Sequence, residues 1–276
     1  VTVRIPIPVF SGGKAYGEVD LVVPDAGTLA DTRRALDEGN YFQAIHEFLR
    51  GCVEFLREEG GDGMEGDQAR AMVKHIPIRS AELLAIRAML LIDADEGIEG
   101  VYDCPRCGKR QVAEYRSEDS DSRDQISDIG VAYMDGKREE AFSVSLAKPV
   151  TMKDKSSGEA VYSASEIEMS WPTLGHAMSS YGKYGASDRM RRQFAIYIEA
   201  TRKVNGEEVS TKWRGEYGMF TFEKMKVGPG GLGGIGREME RYGMKDTIPK
   251  TCPSCGKKWE AEVNTSNFFA SALPSV

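Results

Sequence analysis

The chain has little of what most catalytic or membrane proteins use. Among its 276 residues only three are histidine, His46, His75 and His176, and none has a Ser, Cys or acidic neighbour at a spacing that marks a catalytic set. Each reads as a surface or cap residue, and no enzymatic activity is expected. The longest apolar run, LLAIRAMLLI at 83–92, contains Arg87. It is too short and too polar to span a bilayer, so no membrane partner is expected. The N-terminus lacks the charged, apolar, small-residue order of a secretory signal, which predicts a soluble intracellular product. Net positive charge is missing as well. Thirty-six basic against 43 acidic residues leave −7 and a pI near 5.3, the wrong sign for a protein that neutralises phosphates, so nucleic acid is not an expected partner. The 30 glycines follow no period, which excludes a collagen-like chain and predicts many turns instead.

Cysteine is scarce too, yet four of the five fall into a pattern. YDCPRCGKR at 102–110 and TCPSCGKK at 251–258 both carry CPxCGK, with 144 residues between Cys107 and Cys252. In each, the Gly after the second Cys suits a tight turn whose backbone N–H groups can face sulfur, and the Pro stiffens the bend. A tetrahedral thiolate site needs four ligands, and each half supplies two. Cys104, Cys107, Cys252 and Cys255 are therefore expected to hold one zinc per chain, structural because four thiolates leave no open position; iron is the alternative ion. Redox dithiols are the competing reading. The flanks QVAEY and WEAEV lack the strand-then-helix setting of a thioredoxin motif. Cys52 recurs with Ile45, Phe48, Leu49 and Leu56 at helical spacing and is read as a buried core thiol.

Periodicity predicts an α+β fold: an N-terminal β-hairpin plus helices, a β-rich middle and a helical C-terminal part, closed by the knuckle pair. Residues 1–23 alternate around Ser-Gly-Gly as a hairpin, with Pro6 and Pro8 pushing its first arm to a sheet edge. Two helices follow, the first capped by Thr28 and broken near Gly39-Asn40. GGDGMEGD at 60–67 lacks the ligand register of a calcium loop. A helix is expected after Ser80, apolar nearly all round and so buried, with Arg87 needing a carboxylate or carbonyl partner. Strands are expected from 98 onward, with hairpin turns at Asp135-Gly136 and Asn205-Gly206 and a solvated acidic loop at 117–125. Residues 173–193 read as helical, and for 211–226 helix and strand compete. The expected domains are 1–97, 98–172 and 173–276.

GLGGIG at 231–236 fits a dinucleotide fingerprint, but too little chain follows to build the sheet that such a site requires. It reads as a flexible or closely packed loop before a terminal helix. Arg189, Arg191, Arg192, Arg202 and Lys203 read as a solvated helix face. Phe268 and Phe269 stand near the end of the sequence, where apolar residues fray unless tied down. They either pack against the zinc module or engage another subunit.

The order of these features resembles the baseplate hub and tail assembly proteins of contractile-tailed, T-even-like bacteriophages. The resemblance rests on PIRSAELLAIRA, GVYDCPRCG, CPSCGKKW and the NFF tail. It implies a non-enzymatic structural or assembly protein that docks other tail and baseplate subunits and self-associates in a symmetric assembly. It further implies Cys104, Cys107, Cys252 and Cys255 as ligands, and Phe268 and Phe269 as the partner-binding aromatic pair. The protein would occupy the host cytoplasm during assembly and the virion tail if retained. A transient tail-assembly chaperone and a zinc-ribbon nucleic-acid-binding protein are the alternatives.

Overall fold

The computed structural model describes residues 1–58, 62–92, 98–116, 124–125, 131–134, 139–184, 188–245 and 247–263. In chain order these form β1 (Thr2–Ser11), β2 (Lys14–Leu21), α1 (Ala26–Asp37), α2 (Tyr41–Cys52), β3 (Val53–Glu58), β4 (Gly63–Glu65), α3 (Gly66–Met72) and α4 (Ile78–Ile92). Then come β5 (Ile98–Asp103), β6 (Arg110–Arg116), β7 (Asp124–Gln125), β8 (Val131–Ala132), β9 (Ala141–Lys153) and β10 (Ala160–Ser170). The remainder is α5 (Leu174–Tyr184), α6 (Arg189–Ala200), β11 (Thr201–Val204), β12 (Glu207–Glu208), α7 (Gly218–Lys224), α8 (Leu232–Met239), β13 (Gly243–Met244), β14 (Thr247–Thr251) and β15 (Lys258–Glu262). The class is α+β, as expected. No described helix is long and apolar enough to cross a membrane.

The chain divides into two compact units. One joins Val1–Met134 to Tyr242–Val276, and the other is Asp135–Arg241. The division falls where it does because chain segments far apart in sequence pair with each other. Strand β13 returns to β8, and the second knuckle returns to the first.

In the first unit β1 and β2 turn through Gly12 and Gly13, both at positive φ, the backbone that a two-residue hairpin demands. Strand β1 lies at the edge of the order β1-β2-β3-β4. Its pairing to β2 breaks between Arg4 and Val9, across the IPIP stretch. Proline donates no hydrogen bond there, and the chain instead turns toward α4. The buried Ser80 hydroxyl receives the Ile7 N–H at 2.9 Å and lies 3.0 Å from the Ile7 carbonyl, while the Met134 N–H reaches the Pro6 carbonyl at 2.9 Å. Ser80 thus stands in for a missing strand. It is not the start of α4, which begins at Ile78 behind Pro77, a residue with no N–H to lose at a helix N-terminus. Ala81, Leu83, Leu84, Ala85, Ile86, Ala88, Met89 and Leu90 are buried around almost the whole circumference of α4, and Arg87 is half-buried on it.

Three further expectations change. Helix α1 is capped by Asp25, whose carboxylate accepts the Thr28 N–H at 2.7 Å; Thr28 is the donor, not the cap. Helix α2 ends at Cys52, and Leu56 lies in β3 opposite Val19, not on the helical stripe. Val53 is β-branched and the neighbouring strand β2 offers a full ladder, so pairing overrides local helical spacing. Strand β8 pairs with β13, so 131–134 is not the arm of a hairpin with 141–146. The Asp135-Gly136 turn and residues 117–123 of the acidic loop lie outside the described residues.

In the second unit the antiparallel order is β12-β11-β10-β9. The Asn205-Gly206 turn forms as expected, with φ of 52° and 82°. Asn205 also stitches the irregular stretch of β10. Its Oδ1 accepts the N–H groups of Ser165 (2.8 Å) and Glu166 (3.1 Å), and its Nδ2 donates to the Ser163 carbonyl at 2.8 Å. Asn205→Ala is expected to lower stability by about 1–2 kcal/mol in urea titrations, through lost bonds and a strained αL residue. Asn205→Gly should recover only the backbone part.

Residues 211–226 resolve as helical, a π-turn at Trp213–Tyr217 leading into α7. Tyr162 stacks on Tyr217 at 4.6 Å and binds the Trp213 Nε1–H (3.0 Å) and the Thr221 hydroxyl (2.8 Å) through its own hydroxyl. GLGGIG is mostly helix, not loop: it forms the first turns of α8. A Cβ on Gly234 would lie 2.4 Å from the Pro229 carbonyl oxygen, and one on Gly230 2.5 Å from the Ala147 side chain. Close backbone approach explains those glycines, in keeping with the closely packed reading of the stretch.

Candidate metal centre

Each CPxCGK segment folds as a turn closing a two-stranded ladder. The first links β5 to β6, paired from Ile98↔Tyr115 to Asp103↔Arg110; the second links β14 to β15, paired from Thr247↔Glu262 to Thr251↔Lys258. Their hydrogen bonds correspond one to one. The Cys104 N–H reaches the Lys109 carbonyl at 3.1 Å and the Gly108 N–H the Cys104 carbonyl at 2.8 Å, matched by Cys252 to Lys257 and Gly256 to Cys252, both at 2.9 Å. Gly108 and Gly256 both have positive φ, of 66° and 69°. The duplication seen in sequence is therefore a duplication of backbone geometry.

The two turns meet head to tail. Cys104 Sγ is 3.7 Å from Cys255 Sγ, and Cys107 Sγ is 3.7 Å from Cys252 Sγ. All four sulfurs lie within 4.8 Å of one another, and none forms a disulfide. The 3.7 Å separation of the two cross-knuckle pairs matches the edge of a tetrahedron whose centre lies roughly 2.3 Å from each corner, a metal–thiolate bond length. The four cysteines cluster in a way that can bind a metal ion. Cys104 and Cys252 are buried, Cys255 is half-buried and Cys107 is exposed.

The electrostatics ask for a cation. Burial raises the Cys252 pKa, but the N–H groups of Cys255 and Ser254 and the thiols of Cys255 and Cys107 outweigh it, giving about 6. The Lys257 N–H lowers that of Cys255, yet burial and the sulfurs of Cys252, Cys104 and Cys107 push it up to about 11. Like charges at this spacing cannot all form unaided. A divalent ion at the centre would let every sulfur ionise. Cys52 is different: burial alone lifts it to about 12, an inert core thiol as expected.

A third turn of the same form occurs without cysteine. In DKSSGE at 154–159 the Asp154 N–H reaches the Glu159 carbonyl at 2.8 Å, the Gly158 N–H reaches the Asp154 carbonyl at 2.9 Å, and Gly158 has φ 72°. Asp154 Oδ1 takes the place of the first sulfur and accepts the N–H groups of Ser156 and Ser157, both at 2.8 Å. The Ser156 hydroxyl and those N–H groups hold the Asp154 pKa at about 2, below the ordinary 3.8. This carboxylate's contribution is present above the unfolded pKa and is lost as pH falls through the folded one. An NMR titration of the Ser156 and Ser157 amides should show a midpoint near 2. Sequence reading missed this turn, although the Gly at the matching position was its signal.

No family model, no curated protein and no solved structure matches this chain. The other sequence candidates do not join the cysteines. His176 caps α5 reciprocally with Thr173: the Thr173 N–H donates to His176 Nδ1 at 3.3 Å and the His176 N–H to Thr173 Oγ1 at 3.4 Å. His46 is half-buried in α2, 3.5 Å from Glu47, and burial lowers the pKa of His46 and of His75. Arg202 faces Glu140 and Lys203 faces Glu168, both from β11, so these two lie on a strand and not on the expected helix face. Phe268 and Phe269 lie outside the described residues. A contact that the sequence did not signal is Lys250 Nζ over the Tyr102 ring at 5.2 Å, two residues before each knuckle.

Proposed function

We propose that this chain is a non-enzymatic structural and assembly protein of a phage contractile tail, in the baseplate hub region, held shut by one structural zinc. The observation that carries the reading is the convergence of Cys104, Cys107, Cys252 and Cys255, whose sulfurs all lie within 4.8 Å of one another. Tetrahedral thiolate sets suit zinc or iron, and four protein ligands leave no position for a substrate or an activated water. Zinc is favoured because such a centre serves as a staple without redox chemistry. Fastening residues 98–116 to 247–263 fits a subunit that must hold one shape while neighbours dock on it.

Elemental analysis of the purified chain should give one zinc and no iron. Mass spectrometry of tails purified from the encoding phage should find the chain in stoichiometric amount. Its absence from finished tails, with baseplate assembly failing when the gene is disrupted, would reassign it as a transient chaperone. Intact tails and normal baseplates without the protein would overturn the tail reading altogether.

A further inference from the structure

The charge around the knuckles runs against that of the chain. Residues 103–110 and 250–258 hold six basic side chains, Arg106, Lys109, Arg110, Lys250, Lys257 and Lys258, against the single acid Asp103, in a protein of net charge −7. Two of the six are engaged: Arg110 lies 3.5 Å from Asp103, and Lys250 lies over Tyr102. Arg106, Lys109, Lys257 and Lys258 are exposed and form no ion pair among the described residues. Elsewhere basic side chains commonly meet an acid, as in Arg57–Asp20, Lys14–Glu58, Lys183–Glu199 and Arg191–Asp188. A filled tetrathiolate site would carry a formal charge of about −2, too little to neutralise the basic excess.

An apolar pair accompanies the cations. Val101 and Val112 face each other across β5 and β6 and are 50% and 58% exposed. They share a face with the next outward pair, Asp103 and Arg110, while Tyr102, between Val101 and Asp103, points to the buried side. Cationic tips beside an exposed apolar pair make a mixed surface.

We propose that this double-knuckle surface is a docking site for a carboxylate-rich segment of a partner protein that also carries an apolar side chain. Charge complementarity chooses the carboxylates, and the valine pair chooses a peptide over a sugar-phosphate chain, which has nothing apolar to place there. The acidic remainder of the chain repels a long polyanion but tolerates a short segment confined to the tips. The inference goes beyond the tail reading and holds whether or not the chain works in a tail.

The test uses the full-length, zinc-loaded chain and fluorescence anisotropy with two labelled probes, a glutamate decapeptide with a central Leu-Leu and a decathymidylate. Tighter binding of the peptide, weakening as salt rises, is expected. The combined variant Arg106→Gln, Lys109→Gln, Lys257→Gln, Lys258→Gln should bind the peptide at least about ten-fold more weakly, with zinc content and thermal midpoint unchanged. Val101→Ser with Val112→Ser should weaken the peptide and leave the oligonucleotide unaffected. Equal peptide binding by the charge variant would overturn the proposal, as would tighter binding of decathymidylate. Loss of zinc from the charge variant would also overturn it, because the cations would then serve the thiolates rather than a partner.

Discussion

Cys252→Ser protein is expected to retain less than about a tenth of the metal bound by the unaltered chain, because a serine hydroxyl stays protonated where a thiolate is required. A structural zinc site contributes on the order of 10 kcal/mol in small modules, comparable to the whole net stability of a typical domain at roughly 5–15 kcal/mol. The loss should still be local at first. The ribbon strands β5, β6, β14 and β15 form small sheets with few buried side chains, Tyr102, Ile248 and Ala261 among them. Sheets this small are not stable alone. Hydrogen exchange is therefore expected to rise by orders of magnitude in both knuckle hairpins, while α4 and β1–β3 stay protected by their own core. Cys52→Ala is the control: it removes a fully buried thiol outside the site and should leave metal content unchanged. Full metal occupancy in Cys252→Ser, with both hairpins protected, would show that the knuckles do not share an ion.

Ser80→Ala is expected to cost about 2–4 kcal/mol in urea unfolding, far more than one hydroxyl contributes on a surface. The Ser80 hydroxyl serves both backbone groups of Ile7. Ile7 is 1% exposed, so water cannot replace what the alanine lacks, and each orphaned buried group costs roughly 1–3 kcal/mol. Ser180→Ala provides the comparison. Ser180 is equally buried, but its hydroxyl donates to the Ala177 carbonyl within its own helix, an acceptor with other means of satisfaction. A loss below about 1 kcal/mol is expected there. Similar costs for the two changes would refute the view that Ser80 replaces a missing strand.

What could be read from sequence was what short-range stereochemistry fixes. Gly12-Gly13 and Asn205-Gly206 announced hairpin turns because few other residues adopt positive φ, and both formed. The CPxCGK repeats announced matching knuckles for the same reason, with Gly108 and Gly256 at equivalent positions. Misreadings arose where a distant partner outweighed local preference. Leu56 fits a helical stripe until β2 supplies a ladder, and GLGGIG resembles a loop until Gly234 is seen against Pro229 and Val144. Asp25 and Thr28 are both good caps, and which of them accepts depends on where the chain turns into α1.

The sequence by itself determined that two thiol pairs exist, that each has a backbone able to aim sulfur at an ion, and that four such ligands are enough. Those are properties of two six-residue segments and their dihedral angles. Only the tertiary structure decided that the pairs meet, first cysteine to second across 3.7 Å, with an entire folded unit of the chain running between them. It alone decided, too, that Ser80 completes Ile7 across 73 residues. Contacts of that separation follow from how whole elements pack, since the entropy of closing so long a loop is recovered only by the summed burial and pairing of everything the loop brings together.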